Sequence, residues 1–160
     1  MTSVLRVLAT VLGLAVISGC SATASNMHDA DVATRADIPL YPNETPELRA
    51  LINKWADIHD IPVTLLHRVI VRESTHNPAA RNGPYYGLMQ ILPQTARTMG
   101  FQGEPRDLLD AETNLRYAGK YLRGAWLVAG GDEAEAVGWY ARGYYYEAKR
   151  LGLLEETGLR

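Results

Sequence analysis

A single acid, Glu73, closes a helical pattern of apolar residues and has no acidic neighbour along the chain that follows. The apolar pattern runs over residues 63–71, and residues 74–103 contain neither Asp nor Glu. Apolar surroundings disfavour the ionised form of a carboxyl group and raise its pKa. A carboxyl group that stays protonated near neutral pH can act as a general acid. Glu73 is therefore the candidate for acid catalysis.

Glycosidic bond cleavage normally uses two carboxyl groups, one as acid and one as nucleophile or base. The stretch around Glu73 offers one, and the other acids, such as Glu104, Asp107 and Asp110, fall on predicted loops and helix starts. There a solvated helix cap is the ordinary role of an acid. If Glu73 is catalytic, another group has to replace the second carboxyl.

Short motifs follow Glu73 at defined spacings. They are Glu73-Ser74, Asn77-Pro78, Gly87-Leu88-Met89-Gln90 and Pro93-Gln94-Thr95-Ala96, with Asn114 and Tyr121-Leu122 further on. In combination they resemble the lytic transglycosylase family of the soluble murein type, and the resemblance covers roughly Thr45 to Tyr145.

The resemblance implies a lysozyme-like domain that cleaves peptidoglycan without consuming water. In this family one Glu, here Glu73, acts as acid and then as base. The C6 hydroxyl of N-acetylmuramic acid (MurNAc) is the nucleophile, so that the MurNAc-β-1,4-GlcNAc bond yields a 1,6-anhydro sugar. The alternatives are a hydrolase (muramidase) on the same fold, and a non-catalytic lipoprotein that binds peptidoglycan.

The resemblance also assigns the substrate site. It places Gln90 and Met89 along the sugar site, Ser74 at the end of the catalytic helix, and Tyr140 pointing at the catalytic carboxyl. Two positions depart from the family: Ala141 stands where Asn is usual, and Asn82 where Ser is usual.

The paired tyrosines Tyr85-Tyr86 have two interpretations. Tyr86 with its neighbour could stack on sugar rings or bind sugar hydroxyls, or the pair could pack at the base of a loop.

The composition limits the other classes of function. The chain has 160 residues, which suggests one folded domain, and a formal net charge of −2 with no basic run. We therefore expect no nucleic-acid partner. His67 lies among apolar residues and is interpreted as a packed or surface histidine, and no His or Cys cluster has metal-ligand spacing. We expect no metal and no cofactor.

The N-terminal residues indicate export. A basic start, an apolar run and small residues precede the single cysteine, Cys20, in the pattern of a signal peptide over residues 1–19. Ile17-Ser18-Gly19-Cys20 resembles the lipobox of bacterial lipoproteins, which implies lipidation of Cys20. The alternative is an ordinary secretory signal. Residues 20–43 read as a flexible tether and residues 44–160 as the transglycosylase domain.

This organisation predicts a protein on the periplasmic side of a bacterial envelope. Its partners would be peptidoglycan glycan strands, the membrane through the lipid anchor, and cell-envelope machinery. Ser21 directly after Cys20 favours the outer membrane.

Helix signals predict the architecture. Thr45-Pro46, Asp110 and Asp132 are helix starts, and residues 63–72 and 93–100 have helical patterns. We predict an all-α, lysozyme-like domain of five to seven helices. The alternative adds a small hairpin near Asn82 to Tyr86.

Overall fold

A computed structural model describes residues 39–160, in which six α-helices surround one core. The elements are α1 (Pro46–His59), α2 (Val63–Glu73), strands β1 (Arg81–Asn82) and β2 (Tyr85–Tyr86), α3 (Pro93–Thr98), a 3-10 helix (Pro105–Leu109), α4 (Ala111–Val128), α5 (Glu133–Arg142) and α6 (Tyr145–Leu151). The predicted signal peptide, Cys20 and most of the predicted tether lie outside the described residues.

The helix starts follow the predicted capping residues. The Thr45 side chain accepts from the backbone N–H of Leu48, and Pro46 is the first residue of α1. Asp110 and Asp132 cap α4 and α5 in the same way. These side chains satisfy N–H groups that the first turn of a helix leaves without a partner.

The core forms where α4 packs against α1 and α5, with α2 against α1 and α5. Its fully buried residues include Leu65, Leu66 and Ile70 of α2 and Leu115 and Leu122 of α4. The apolar face of α2 is thus turned inward, and its last residue, Glu73, reaches the edge of the core. The predicted all-α fold is confirmed, and no helix within residues 39–160 is long and apolar enough to cross a membrane.

Three local features differ from the main prediction. Strands β1 and β2 pair in antiparallel register, Arg81 with Tyr86 and Asn82 with Tyr85, so the alternative with a hairpin is correct. The predicted loop that carries Glu104 and Asp107 contains the 3-10 helix. Helix α5 ends at Arg142 because Gly143 has φ 84°, so Tyr144 is the N-cap of α6 and not part of α5.

The end of the predicted tether packs on the folded unit. The Tyr41 ring stacks on His76 with centroids 4.8 Å apart, and the Asn43 side chain donates to the Thr75 carbonyl at 3.1 Å. The ordered domain therefore begins before residue 44, and this segment lies against the residues that follow Glu73.

Candidate active site

Glu73 lies at the last turn of α2, where the helix stops abruptly. Thr75 and His76 adopt left-handed backbone conformations, with φ 50° and 61°. The Ser74 backbone N–H and hydroxyl both point back to the Ile70 carbonyl, at 3.0 and 3.4 Å. Ser74 therefore secures the helix end, and the Glu73 side chain, 24% exposed, projects into a cleft.

The cleft has a volume of about 340 Å³ and lies between the end of α2, the hairpin and the end of α5. Its lining residues are Arg72, Glu73, Asn82, Tyr85, Gln90, Tyr140 and Ala141. A second depression of about 230 Å³ shares four of them, Tyr85, Gln90, Tyr140 and Ala141, and extends past Arg142. The two form one groove with room on either side of the shared residues.

Gln90 forms the floor shared by both depressions. Its amide nitrogen donates to the carbonyls of Ala80 and Gly87, at 3.0 and 2.9 Å. Both amide hydrogens are then used, so Gln90 would meet a sugar hydroxyl through its Oε1, as an acceptor. Its φ of 47° is a strained conformation for a residue with a Cβ, which typically costs about 1–3 kcal/mol and is common at functional sites.

Asn114 of α4 fixes the turn that carries Gln90. Its Oδ1 accepts from the Met89 N–H at 2.9 Å, and its Nδ2 donates to the carbonyls of Tyr86 and Leu108 at 2.9 and 2.8 Å. Asn114 is fully buried. One side chain thus satisfies three backbone groups and holds the turn against the core.

Tyr140 lies in the cleft, but its hydroxyl contact differs from the expectation. The hydroxyl donates to the Met89 carbonyl at 2.9 Å instead of to Glu73. Burial raises the pKa of Tyr140 well above its usual value, and the nearby charge of Glu73 raises it further. Tyr140 thus stays protonated beside the carboxyl and positions the turn that carries Gln90.

Two predicted substrate contacts are wrong in detail. The Met89 side chain is fully buried in the core, so only its backbone takes part in the site. Tyr86 packs against the core and under the Arg81 guanidinium, while Tyr85 lines the cleft. Successive residues of a strand point to opposite faces, so one tyrosine of the pair had to turn away. Asn82, the partner of Tyr85 across the hairpin, lines the cleft.

Arg72 is a cleft residue that the sequence pattern did not single out. Its Nε lies 3.5 Å from the Glu73 carboxylate. Burial raises the pKa of Glu73, and the positive charge of Arg72 opposes this and lowers it. Adjacent residues of a helix do not usually face each other, so their order in the sequence gave no signal of the contact. The net shift is upward, as a general acid requires.

A buried cluster of Glu44, His67 and His76 has the donor atoms of a metal site, which the sequence spacing did not reveal. His67 Nδ1 lies 3.0 Å from His76 Nε2. Both Glu44 oxygens, however, accept from Arg49 at 2.6 Å. A divalent cation would add its charge to that guanidinium with no further acid in the cluster, so these residues do not fit a metal well.

A mostly helical domain with one carboxyl in a cleft lined by tyrosine and amide side chains matches the lysozyme-like class of glycan-cleaving domains. The family model of the transglycosylase SLT domain matches residues 50–152, and the chain belongs to this family. At the family level this indicates a lytic transglycosylase type of activity directed at peptidoglycan. No solved structure shows a significant match to the chain.

Proposed function

We propose that the protein is a peptidoglycan lytic transglycosylase that cleaves the MurNAc-β-1,4-GlcNAc bond with formation of 1,6-anhydroMurNAc. The observation that carries the proposal is that Glu73 is the sole carboxyl lining either depression of the groove formed by residues 39–160. It is partly buried at the end of α2, and this burial raises its pKa.

The proposed reaction balances with one protein acid. Glu73 donates its proton to the GlcNAc O4 while the bond from O4 to the MurNAc C1 breaks. The MurNAc C6 hydroxyl then forms a bond to C1 and returns its proton to the Glu73 carboxylate. Glu73 regains its starting state, and no water is added. A group that must give and then take a proton works best with a pKa near the operating pH.

A two-carboxyl hydrolase is less well supported. Retaining enzymes place the second carboxyl about 5–5.5 Å from the first, and inverting enzymes about 6.5–9.5 Å. Neither depression is lined by a second acid in the described part of the chain. This absence supports a substrate hydroxyl, which needs no protein carboxylate, as the nucleophile.

The decisive substitution is Glu73→Gln, which keeps the shape of the side chain and removes the acid. We expect the fold to persist and cleavage of isolated sacculi to fall below about one per cent, equivalent to a barrier higher by at least ~2.7 kcal/mol. The matched control is Glu47→Gln, an acid exposed on the first turn of α1. Mass spectrometry of the released muropeptides identifies the product.

The products of this sacculus digest distinguish the candidate functions. Anhydro products from the wild type and none from Glu73→Gln support the proposal. Products with reducing ends would identify a muramidase. A wild-type protein that binds sacculi without releasing products would be a peptidoglycan-binding lipoprotein, and a fully active Glu73→Gln variant would remove Glu73 from the mechanism.

We also propose that the enzyme works at the periplasmic face of the outer membrane, anchored through lipidated Cys20. The support is the sequence of residues 1–20, with its apolar run before Ile17-Ser18-Gly19-Cys20. One acyl chain gives marginal membrane binding, whereas several give stable anchoring. Palmitate labelling and membrane fractionation of a Cys20→Ala variant test this, since an anchored and labelled variant would place the anchor elsewhere.

A further inference from the structure

Arg72 is the only cationic side chain lining the 340 Å³ cleft within residues 39–160. It is about half exposed, and among the described residues the acid that it contacts is Glu73, at 3.5 Å. Arg68, one turn earlier on α2, differs, because it pairs with Glu133 at 3.4 Å and does not line the cleft. The guanidinium of Arg72 is thus held beside the acid and open to the groove.

Apart from Arg72 and Glu73, the side chains that line the cleft are uncharged: two amides, two tyrosines and one alanine. When Glu73 carries the proton that general acid catalysis requires, the lining has a net charge of +1 from Arg72. A guanidinium in this position favours a carboxylate, which it can bind through two parallel hydrogen bonds. The cleft is therefore suited to an anionic substrate rather than to a neutral glycan.

We infer that Arg72 binds a carboxylate carried by the lactyl substituent of muramic acid, and so makes cleavage selective for glycan strands that bear this charge. The inference rests on the proposed function. The carboxylate has two sources: it is the lactyl carboxylate itself where the strand has lost its peptide, and it belongs to the attached peptide where the peptide is present.

Binding of such a carboxylate would also prepare the acid. Arg72 opposes protonation of Glu73 in the free enzyme. A substrate carboxylate paired with Arg72 offsets that positive charge, and the substrate displaces water from the cleft. Both effects favour the protonated form of Glu73. The charged substrate therefore promotes the protonation state that the first step requires.

The test compares three glycan substrates: strands with peptides, strands freed of peptides by an amidase, and peptide-free strands whose lactyl carboxylates are converted to methylamides. Wild type, Arg72→Gln, Arg72→Lys and the control Arg68→Gln are assayed as the full chain for kcat/KM. We expect Arg72→Gln to lower kcat/KM about tenfold or more on carboxylate-bearing strands and less than about twofold on the methylamide, since charged hydrogen bonds are worth that much. Arg72→Lys should retain part of the selectivity.

The pH profile of kcat/KM is a second readout, which a purely structural role of Arg72 would not change. Because Arg72 lowers the pKa of Glu73, Arg72→Gln should move the alkaline limb of the kcat/KM profile to higher pH. Arg68→Gln should leave the profile and the selectivity unchanged.

The outcomes distinguish this inference from the proposed function. A wild-type preference for carboxylate-bearing strands over the methylamide that is lost in Arg72→Gln supports the inference, and the strand on which the loss is larger identifies the source of the carboxylate. Equal wild-type rates on all three substrates, or an equal loss on all three in Arg72→Gln, would overturn it while leaving the transglycosylase intact. Absence of anhydro products from the wild type on every substrate would overturn both.

Discussion

At the scale of single residues, two opposing effects set the protonation of Glu73. Burial at the end of α2 raises its pKa and the adjacent guanidinium of Arg72 lowers it, with a net upward shift. The carboxyl is 24% exposed, so water still reaches it in the free protein. A substrate that fills the groove would remove that water and strengthen the effect of burial. The pKa of Glu73 therefore depends on the bound substrate as well as on the fold.

Tyr140→Phe tests the role of the hydroxyl that donates to the Met89 carbonyl. A buried carbonyl that loses its donor costs about 1–3 kcal/mol, so we expect a lower free energy of unfolding in urea. Because the same carbonyl precedes Gln90, we also expect turnover of sacculi to fall roughly tenfold, equivalent to ~1.4 kcal/mol.

Tyr144→Phe is the matched control. Tyr144 is fully buried, and its hydroxyl donates to the Tyr121 carbonyl at 2.8 Å, away from the cleft lining. It should lower stability to a similar degree and leave turnover nearly unchanged. Equal losses of turnover in the two variants would show that Tyr140 acts only through the core.

At the scale of elements, the site depends on the fit between the turn of residues 87–90 and α4. Gly87 has φ 75°, and a Cβ added there would lie 2.3 Å from both the Asn114 side chain and the Leu108 carbonyl. The glycine is required for two separate reasons, backbone conformation and space. A side chain at position 87 would displace Asn114, which holds the backbone next to Gln90.

Gly87→Ala should therefore lower the free energy of unfolding by about 2–5 kcal/mol, combining left-handed strain of about 1–2 kcal/mol with overpacking of about 1–3 kcal/mol. Gly83→Ala is the matched control, because Gly83 has φ 57° and open space around it, so only the strain applies. Urea denaturation of both variants measures the difference. Equal losses would mean that the turn yields without disturbing Asn114.

Features set by local sequence were predictable, and those set by tertiary contacts were not. The helix caps at Thr45, Asp110 and Asp132 were predicted correctly because each capping side chain accepts from a backbone N–H only a few residues along the chain. Which of Tyr85 and Tyr86 lines the cleft depends on which face of the hairpin packs against the core. The sequence contains no local signal of that choice.

The same distinction applies to the site. Glu73 was recognisable because its apolar helix and the acid-free stretch that follows are both visible in the sequence. The Tyr140 contact to Met89 joins residues 51 positions apart, and only the packing of α5 decides its partner. The buried cluster was missed for the same reason, since Glu44 approaches His67 and His76 only after the chain folds.

At the scale of the whole molecule, that cluster joins the segment before α1 to the end of α2. Tyr41 packs on the rings of His67 and His76, and His67 Nε2 lies 3.9 Å from the Glu44 carboxylate. Although burial raises the pKa of Glu44, the hydrogen bonds from Arg49 and the Tyr41 N–H leave it below its usual value. The Glu44–Arg49 pair is then charged and the two histidines are neutral at pH 7.

Acid should weaken this junction. The pKa of His67 is lowered to about 4, chiefly by burial. The charge of Glu44 raises this pKa, and the charges of His76 and Arg49 lower it. Burial also lowers the pKa of His76. In the unfolded chain a histidine titrates near ~6.5. Between about pH 6.5 and 4 the unfolded chain therefore binds protons that the folded protein does not, and stability falls as the pH falls through this window.

We expect His67 alone to contribute a loss on the order of 2–3 kcal/mol between pH 7 and pH 4, from its shift to about 4. Urea unfolding of the full chain at intervals of pH measures the slope. His67→Gln cannot take up a proton, so its stability should depend less steeply on pH between 7 and 5, a window that lies above the titration of Glu44. His28→Gln, in the predicted tether, is the control and should keep the wild-type slope. A His67→Gln variant with an unchanged slope would show that His67 has the same pKa in the folded and the unfolded chain, as it would if its ring stayed exposed to water.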